Sequence, residues 1–105
     1  MKIEQQDWIL FKDRLPIWQN KHIESIVNQY LEILSDGSSA PADRFWQLEK
    51  RVREDKKNPG VIVEMSRDNL IGTIVSLLRD GTIVLDDLEG FSDALRESIR
   101  FFVGE

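Results

Sequence analysis

Apolar residues recur at intervals of three and four along the first third of the chain. Trp8, Phe11, Leu15 and Trp18 follow one another at spacings of 3, 4 and 3, which places them on one face of a helix. The same repeat continues through residues 17–34. A half-buried strand would instead alternate apolar and polar residues. The sequence therefore predicts an all-α fold.

We expect two helices in this region, over residues 3–15 and 17–34. Pro16 interrupts the pattern between them with a kink or a tight break, because proline has no N–H to donate and disfavours helix at the residue before it. Asp36 and Gly37 end the second helix, with Gly37 suited to the left-handed cap position. The predicted apolar face of the second helix consists of Ile23, Ile26, Val27, Tyr30, Leu31 and Leu34.

Pro41 is typical of a first helical position and begins a third helix. Phe45, Leu48 and Val52 form its predicted buried stripe, with Trp46 beside them. Charged residues cover the remaining faces of this helix.

The chain after residue 57 has two interpretations. Asn58 as N-cap and Pro59 as first residue begin a long fourth helix that runs to about residue 79, which is the interpretation we favour. In the alternative, residues 61–64 form a short strand that pairs with residues 82–85, and the helix begins at Ser66.

A glycine-turn helical corner is predicted near residues 80–91. Ser92 then caps a last helix, whose apolar residues Leu95, Ile99 and Phe102 follow at spacings of 4 and 3. The sum is a single domain over residues 1–105, a bundle of about five helices.

Composition limits the chemistry of the chain. At 105 residues it has room for one domain. It contains no cysteine and one histidine, which excludes disulfides, thiolate metal sites and sites built from several histidines. The longest largely apolar run without charge, residues 69–78, is about half of a membrane-spanning helix. We therefore expect no metal, no cofactor, no membrane association and a cytoplasmic location.

Charge is unevenly distributed. Residues 1–79 hold 12 basic and 12 acidic side chains, so the net charge of −5 comes entirely from residues 80–105. Residues 44–57 carry six basic side chains against three acidic ones. Both segments fit solvated helix faces. A sharper hypothesis is self-complementarity between the acidic end and the basic helix, within a chain or across a dimer.

The sequence contains patterns that resemble catalytic or ligand-binding sites, but each lacks residues that the chemistry needs. Residues 76–87 have the shape of a calcium loop, but Leu78 and Val84 occupy positions that need oxygen ligands. As a helix-turn-helix, residues 70–95 would present acids to DNA phosphates. His22 has no serine or carboxylate at a spacing that pairs with it, so it fits a surface or half-buried helix position. We expect no enzyme activity.

Two sets of residues are candidates for contact with other macromolecules. A possible partner surface consists of Trp8, Trp18 and Phe101, since tryptophan is enriched at interfaces, although core packing also explains the tryptophans. A possible nucleic-acid surface consists of Lys50, Arg51, Arg53, Lys56 and Lys57. Nearby acids weaken that second surface, so nucleic acid is the less favoured partner.

Three segments carry a resemblance to known sequences. They are residues 45–51 (FWQLEKR), residues 55–61 (DKKNPGV) and residues 80–91, which contain DGTI, DDL and Phe91. Over residues 40–103 the chain resembles a group of short uncharacterised bacterial proteins, some of which occur with phage or mobile-element genes. The resemblance implies a helical domain of bacterial or phage origin and assigns no activity to any residue.

These observations predict a small non-enzymatic protein that serves as a protein–protein interaction or regulatory module, with homodimerisation as one form of that role. The alternative is a nucleic-acid-associated regulator that uses the basic helix around residues 50–57.

Overall fold

The computed structural model describes residues 2–104. That part of the chain contains four α-helices, one 3₁₀ turn and no strand, which confirms the all-α prediction. In chain order the elements are α1 (Gln5–Ser35), α2 (Pro41–Asp55), α3 (Leu70–Arg79), the 3₁₀ turn (Leu85–Leu88) and α4 (Asp93–Val103).

The first two predicted helices form one continuous helix, α1, which passes through Pro16. Of the two outcomes expected at Pro16, the tight break is wrong, because Leu15 and Trp18, on either side of Pro16, are buried in the same core. Packing on both sides keeps the helix continuous. Pro16 and Lys12 are exposed, so water can reach the Lys12 carbonyl that a proline ring leaves without its N–H donor.

Asp36, rather than Gly37, terminates α1. Gly37 does not have a positive φ, so it is not the predicted left-handed cap. The Asp36 carboxylate accepts hydrogen bonds from the Ser38 N–H at 3.0 Å and the Ser39 hydroxyl at 3.1 Å. The Ser38 hydroxyl also donates to it, at 2.5 Å. These hydrogen bonds, those from Ser38 foremost, hold the pKa of Asp36 below its usual range.

The hydrophobic core lies at one end of an elongated molecule, whose principal extents are 53 × 25 × 18 Å. The first half of α1, α3, the 3₁₀ turn and α4 contribute to it. Its buried side chains are Ile3, Phe11, Leu15, Trp18, Leu70, Ile74, Val75, Leu77, Ile83, Leu88, Phe91, Leu95 and Ile99.

The second half of α1 and the whole of α2 form an antiparallel helical hairpin outside this core, which we call the hairpin (residues 19–57). α2 packs chiefly against α1, whereas α4 packs chiefly against α3. The basic α2 therefore does not face the acidic C-terminal segment within one chain. No residue of α2 is buried, so the predicted buried stripe of this helix is wrong.

Residues 56–69 contain neither the long fourth helix nor a strand. Gly60 is buried, and a Cβ atom added there would lie 2.3 Å from Thr82 Oγ1 and 2.5 Å from His22 Cδ2. The Gly60 N–H donates to Asp80 Oδ2 at 3.2 Å, and the Gln19 side chain donates to the Pro59 carbonyl at 3.0 Å. These tertiary contacts stabilise an irregular loop in place of a helix, which begins only at Leu70.

The segment 80–91 also differs from the predicted corner between two helices. Gly81 and Gly90 have φ values of 82° and 95°, and only one 3₁₀ turn lies between them. Arg14 of α1 holds this segment, because its Nη1 donates to the carbonyls of Asp87, at 3.1 Å, and Glu89. The Arg14 guanidinium also lies 5.4 Å from the centre of the Phe91 ring.

The predicted start of the last helix is confirmed. The Ser92 hydroxyl accepts the Leu95 N–H at 3.2 Å, and Leu95 and Ile99 are buried. Phe102, in contrast, is 55% exposed, beside Arg79 at the end of α3.

A buried carboxylate joins the beginnings of α1 and α4. Asp7 is 2% exposed, and its Oδ1 accepts the Ser92 N–H at 2.9 Å. Its Oδ2 accepts the Ser92 hydroxyl at 2.6 Å. Asp7 thereby fixes the residue that caps α4, a link that the sequence analysis did not anticipate.

Candidate protein-interaction surface

Polar contacts hold the two helices of the hairpin together. The Tyr30 hydroxyl of α1 donates a hydrogen bond to Asp55 of α2. Arg51 donates to the Gln29 side-chain oxygen at 2.6 Å and lies 5.9 Å from the Tyr30 ring centre. Near the tip, Arg44 Nη1 donates to the Leu34 carbonyl at 2.8 Å. Polar contacts therefore hold the hairpin together along its length, in addition to the packing of the buried Ile26.

A cluster of large apolar side chains on the hairpin is exposed to solvent. Their exposed fractions are 45% for Val27, 56% for Leu31, 44% for Leu34, 59% for Phe45 and 64% for Trp46. The sequence places Val27, Leu31 and Leu34 on one apolar helix face, Phe45 on a buried stripe and Trp46 beside that stripe. The predicted burial of Phe45 is wrong. Contiguous exposed apolar surface of this kind is unusual for a soluble monomer and marks interaction sites.

Helical geometry places four of these side chains on the same side of the hairpin. With about 100° per residue, Leu34, Val27 and Leu31 lie roughly 80°, 100° and 140° around the helix axis from the buried Ile26. In α2, Phe45 is displaced in the same rotational sense, by about 60°, from the half-buried Leu48. Because the two helices are antiparallel, displacements in the same sense point to one side of the pair.

We call Val27, Leu31, Leu34 and Phe45 the hairpin face. Trp46 lies at its border, with its ring edge-to-face against Phe45 and the ring centres 4.9 Å apart. The half-buried Val52 of α2 continues the face toward the core. The result is an apolar strip that runs along one side of both helices.

The sequence carries one signal for this face, which is the width of the apolar pattern in α1. Seen along the helix axis, the apolar side chains of residues 23–34 span an arc of about 160°. Ile33 lies at one edge of this arc and Leu31 at the other. A single neighbouring helix covers only part of such an arc, and α2 covers the part with Ile26 and Ile33. The remainder is the hairpin face.

The predicted partner surface of Trp8, Trp18 and Phe101 is not brought together. Trp18 is 8% exposed and lies in the core, where its ring contacts those of Phe11 and Phe91. Trp8 is half-buried and stacks on Phe11. Phe101 is 80% exposed at the other end of the chain, so of the three it alone presents a fully accessible side chain.

The predicted nucleic-acid surface is partly occupied by contacts within the chain. Arg51 is bound to Gln29 of α1 as described, and Arg53 forms a 2.7 Å ion pair with Glu49. Lys50, Lys56 and Lys57 are exposed. Three lysines therefore remain directed to solvent, close to the acids of the same helix.

The remaining candidate groups for chemistry have structural roles. His22 is half-buried and lies against Gly60. Asp87 accepts the Val84 N–H at 2.8 Å and so caps the 3₁₀ turn. Within residues 2–104, no three histidine, aspartate or glutamate side chains are grouped so as to hold a metal ion.

The hydrogen bond between Tyr30 of α1 and Asp55 of α2 can be tested by titrating the Tyr30 hydroxyl. Burial, followed by the hydrogen bond to Asp55, raises its pKa to about 12. Since the folded state favours the neutral phenol, this contact stabilises the protein below pH 10 and the stabilisation is lost as the pH rises toward 12. Tyr30 is the sole tyrosine in the sequence, so ultraviolet absorbance of the phenolate reports it directly.

We expect a phenolate midpoint near pH 12 in the wild-type protein and a midpoint closer to 10 in Asp55→Asn. Glu54→Gln, which removes a neighbouring exposed acid, serves as the control and should leave the midpoint unchanged. A wild-type midpoint near 10 would show that the contact between Tyr30 and Asp55 does not form in solution.

Comparison with protein-family models, with curated proteins and with solved structures gives no match for this chain. The resemblance to short bacterial proteins therefore stays a prediction from the sequence. Separately, none of the helices within residues 2–104 is long and apolar enough to cross a bilayer.

Proposed function

We propose that this chain functions by binding a protein through the hairpin face. The observation that carries the proposal is the exposure of four large apolar side chains on one side of a hairpin whose α2 has no buried residue. Burying them against a partner gains about 25 cal/mol for each Å² of apolar surface removed from water. The role is a binding role without catalysis, and a cytoplasmic setting stays the prediction from the sequence.

The hairpin is also suited to binding by its shape. Amphipathic helices commonly dock by laying an apolar strip with residues at i, i+4 and i+7 against a partner, and Val27, Leu31 and Leu34 have this spacing. Phe45 and Trp46 add aromatic side chains, the type that most often contributes strongly to binding energy. Because the hairpin projects from the core, a partner can approach without displacing core residues.

Nucleic acid is the alternative partner, and the exposed Lys50, Lys56 and Lys57 are what favour it. Phosphate binding by these lysines would depend steeply on salt. The ion pair of Arg53 with Glu49 and the bond of Arg51 to Gln29 reduce the charge available there. Protein is therefore the partner that we propose.

The test is affinity capture with the tagged protein, with and without nuclease. Leu31→Glu places a charge at the centre of the hairpin face, and Gln47→Glu adds the same charge to an exposed position of α2 outside that face. We expect the wild type and Gln47→Glu to retain the same protein, either a second protein or untagged copies of this chain, in nuclease-treated extract. We expect Leu31→Glu to lose it.

Retention by Leu31→Glu equal to that of the wild type would contradict the proposal. Loss of all captured protein after nuclease treatment would move the assignment to the basic side of α2. Circular dichroism of both variants, which should match the wild type, confirms that each substitution leaves the helices formed.

A further inference from the structure

We propose that the hairpin face binds the hairpin face of a second copy of this chain, so that two hairpins form an antiparallel four-helix bundle. This inference rests on the proposed function and names the partner for the same surface. Three observations lead to it: the architecture of the hairpin, the size of the exposed face and the distribution of charge along the hairpin.

The hairpin has the architecture of half a bundle. Four-helix bundles bury apolar residues between two layers of two helices each. Here one layer is present, with Ile26 buried between its helices and the hairpin face uncovered. α3 and α4 pack in the core, so residues 2–104 supply no second pair of helices to cover the hairpin face. A second copy supplies one with the same length and the same apolar strip.

The area of the face fits a dimer interface. From the exposed fractions of the hairpin face and Trp46, these five residues present roughly 600 Å² of accessible surface in each copy. Complete burial of all five residues in both copies would remove about 1,200 Å² from water, which is the lower bound for specific, stable protein interfaces. Contacts between the flanking charged side chains add to this area.

Charge along the hairpin favours an antiparallel arrangement of two copies. The tip, residues 32–44, carries three acids and one base, a net charge of −2. The part nearer the core, residues 19–31 and 45–57, carries six bases and four acids, a net charge of +2. Antiparallel packing sets each acidic tip beside the basic part of the partner, whereas parallel packing sets like charges together.

The hairpin as a whole is neutral, with seven bases and seven acids. The excess negative charge of the chain belongs to residues 80–105, and the described part of this segment, residues 80–104, lies at the core end of the molecule. An antiparallel dimer holds the two acidic cores at opposite ends of the bundle, so their repulsion does not oppose association. This pairing differs from the complementarity expected from the sequence, because the acidic segment beside the basic part of the hairpin is the partner's hairpin tip and not its C-terminal segment.

Symmetry gives Leu31 a special position. It lies between Val27 and Leu34 along the strip, so a two-fold axis through the centre of the hairpin face passes close to it. In a two-fold dimer, residue i contacts residue j and j contacts i. Leu31 therefore packs against the partner's Leu31, while Leu34 and Phe45 of one copy pack against the partner's Val27 and the partner's Val52.

The first experiment is sedimentation velocity of the whole chain from about 1 to about 500 µM. We expect the wild type to convert from 12.2 kDa to twice that mass within this range, and Gln47→Glu to behave identically. Leu31→Glu places two carboxylates together at the two-fold axis and should weaken association by about 100-fold. Raised salt should weaken the wild-type dimer moderately, because the attraction between each acidic tip and the basic part of the partner's hairpin acts between exposed charges.

The second experiment reports the orientation and uses the absence of native cysteine. Leu31→Cys should form a disulfide-linked dimer under mild oxidation, because the two copies of this position adjoin at the axis. Ser38→Cys at the hairpin tip should not, because antiparallel packing separates the tips. Cross-linking of Ser38→Cys as fast as that of Leu31→Cys would overturn the antiparallel arrangement.

A wild-type protein that stays monomeric up to the highest concentration overturns the dimer. If Leu31-dependent capture of a different protein is then observed, the proposed function stands and its partner is heterologous. If neither dimer nor Leu31-dependent capture is found, both proposals fail. A dimer that Leu31→Glu leaves intact would place the interface elsewhere, with the exposed Phe101 as the next surface to substitute.

Discussion

Phe11→Ala is expected to lower the free energy of unfolding by about 4 kcal/mol. Phe11 is fully buried in the core, and its ring lies 6.2 Å from that of Trp8 and 6.2 Å from that of Trp18. Truncation removes the apolar burial, leaves a cavity and ends both ring contacts. Because small domains are stable by about 5–15 kcal/mol, the variant should unfold at far lower urea concentration.

Phe101→Ala is the matched control, since Phe101 is 80% exposed. Its effect on stability should stay within about 0.5 kcal/mol. Urea unfolding followed by tryptophan fluorescence and by circular dichroism measures both variants, at one protein concentration because association shifts apparent stability. Similar losses for the two variants would show that the core differs from the one described.

Asp7→Ala should cost about 3 kcal/mol. The substitution removes both hydrogen bonds that Ser92 donates to the carboxylate, and it leaves the Ser92 N–H without an acceptor in a nearly buried location. It also loosens the serine that caps α4, so the end of that helix should fray. Asp7→Asn keeps one acceptor oxygen and should cost less.

Asp13→Ala, an exposed aspartate of the same helix, controls for the change of charge and helix propensity and should be nearly neutral. Thermal unfolding compares the three variants, and hydrogen exchange of the first turn of α4 localises the effect. Equal melting temperatures for Asp7→Ala and Asp13→Ala would remove Asp7 from its assigned structural role.

Helical periodicity was sufficient to predict most of the helical content of this chain. The stripe of Trp8, Phe11, Leu15 and Trp18 was correctly predicted as one helix face, and Ser92 as the cap of the last helix. The local sequence signals for where helices begin and end were wrong at two places where tertiary contacts determine the backbone conformation. Pro16 stays within a helix because both flanking residues are buried together, and Gly60 joins a loop because it fits against His22 and Thr82.

The candidate surface was harder to predict, because periodicity identifies an apolar face without showing what covers it. Leu31 and Phe45 have the spacing of core residues, and only the three-dimensional arrangement reveals that nothing in residues 2–104 packs over them. The tryptophans are ambiguous for the same reason. The sequence allows Trp18 either a place in the core or a place on a partner surface, and its neighbours in the structure place it in the core.

The unbroken course of α1 has a mechanical consequence. Its 31 residues form a helix about 46 Å long. The first half of this helix packs in the core, the second half belongs to the hairpin, and Pro16 lies near the point where the helix leaves the core. A bend of about 10° at that residue would move the far end of α1 by roughly 5 Å, so the packing of Leu15 and Trp18 fixes the direction in which the hairpin points.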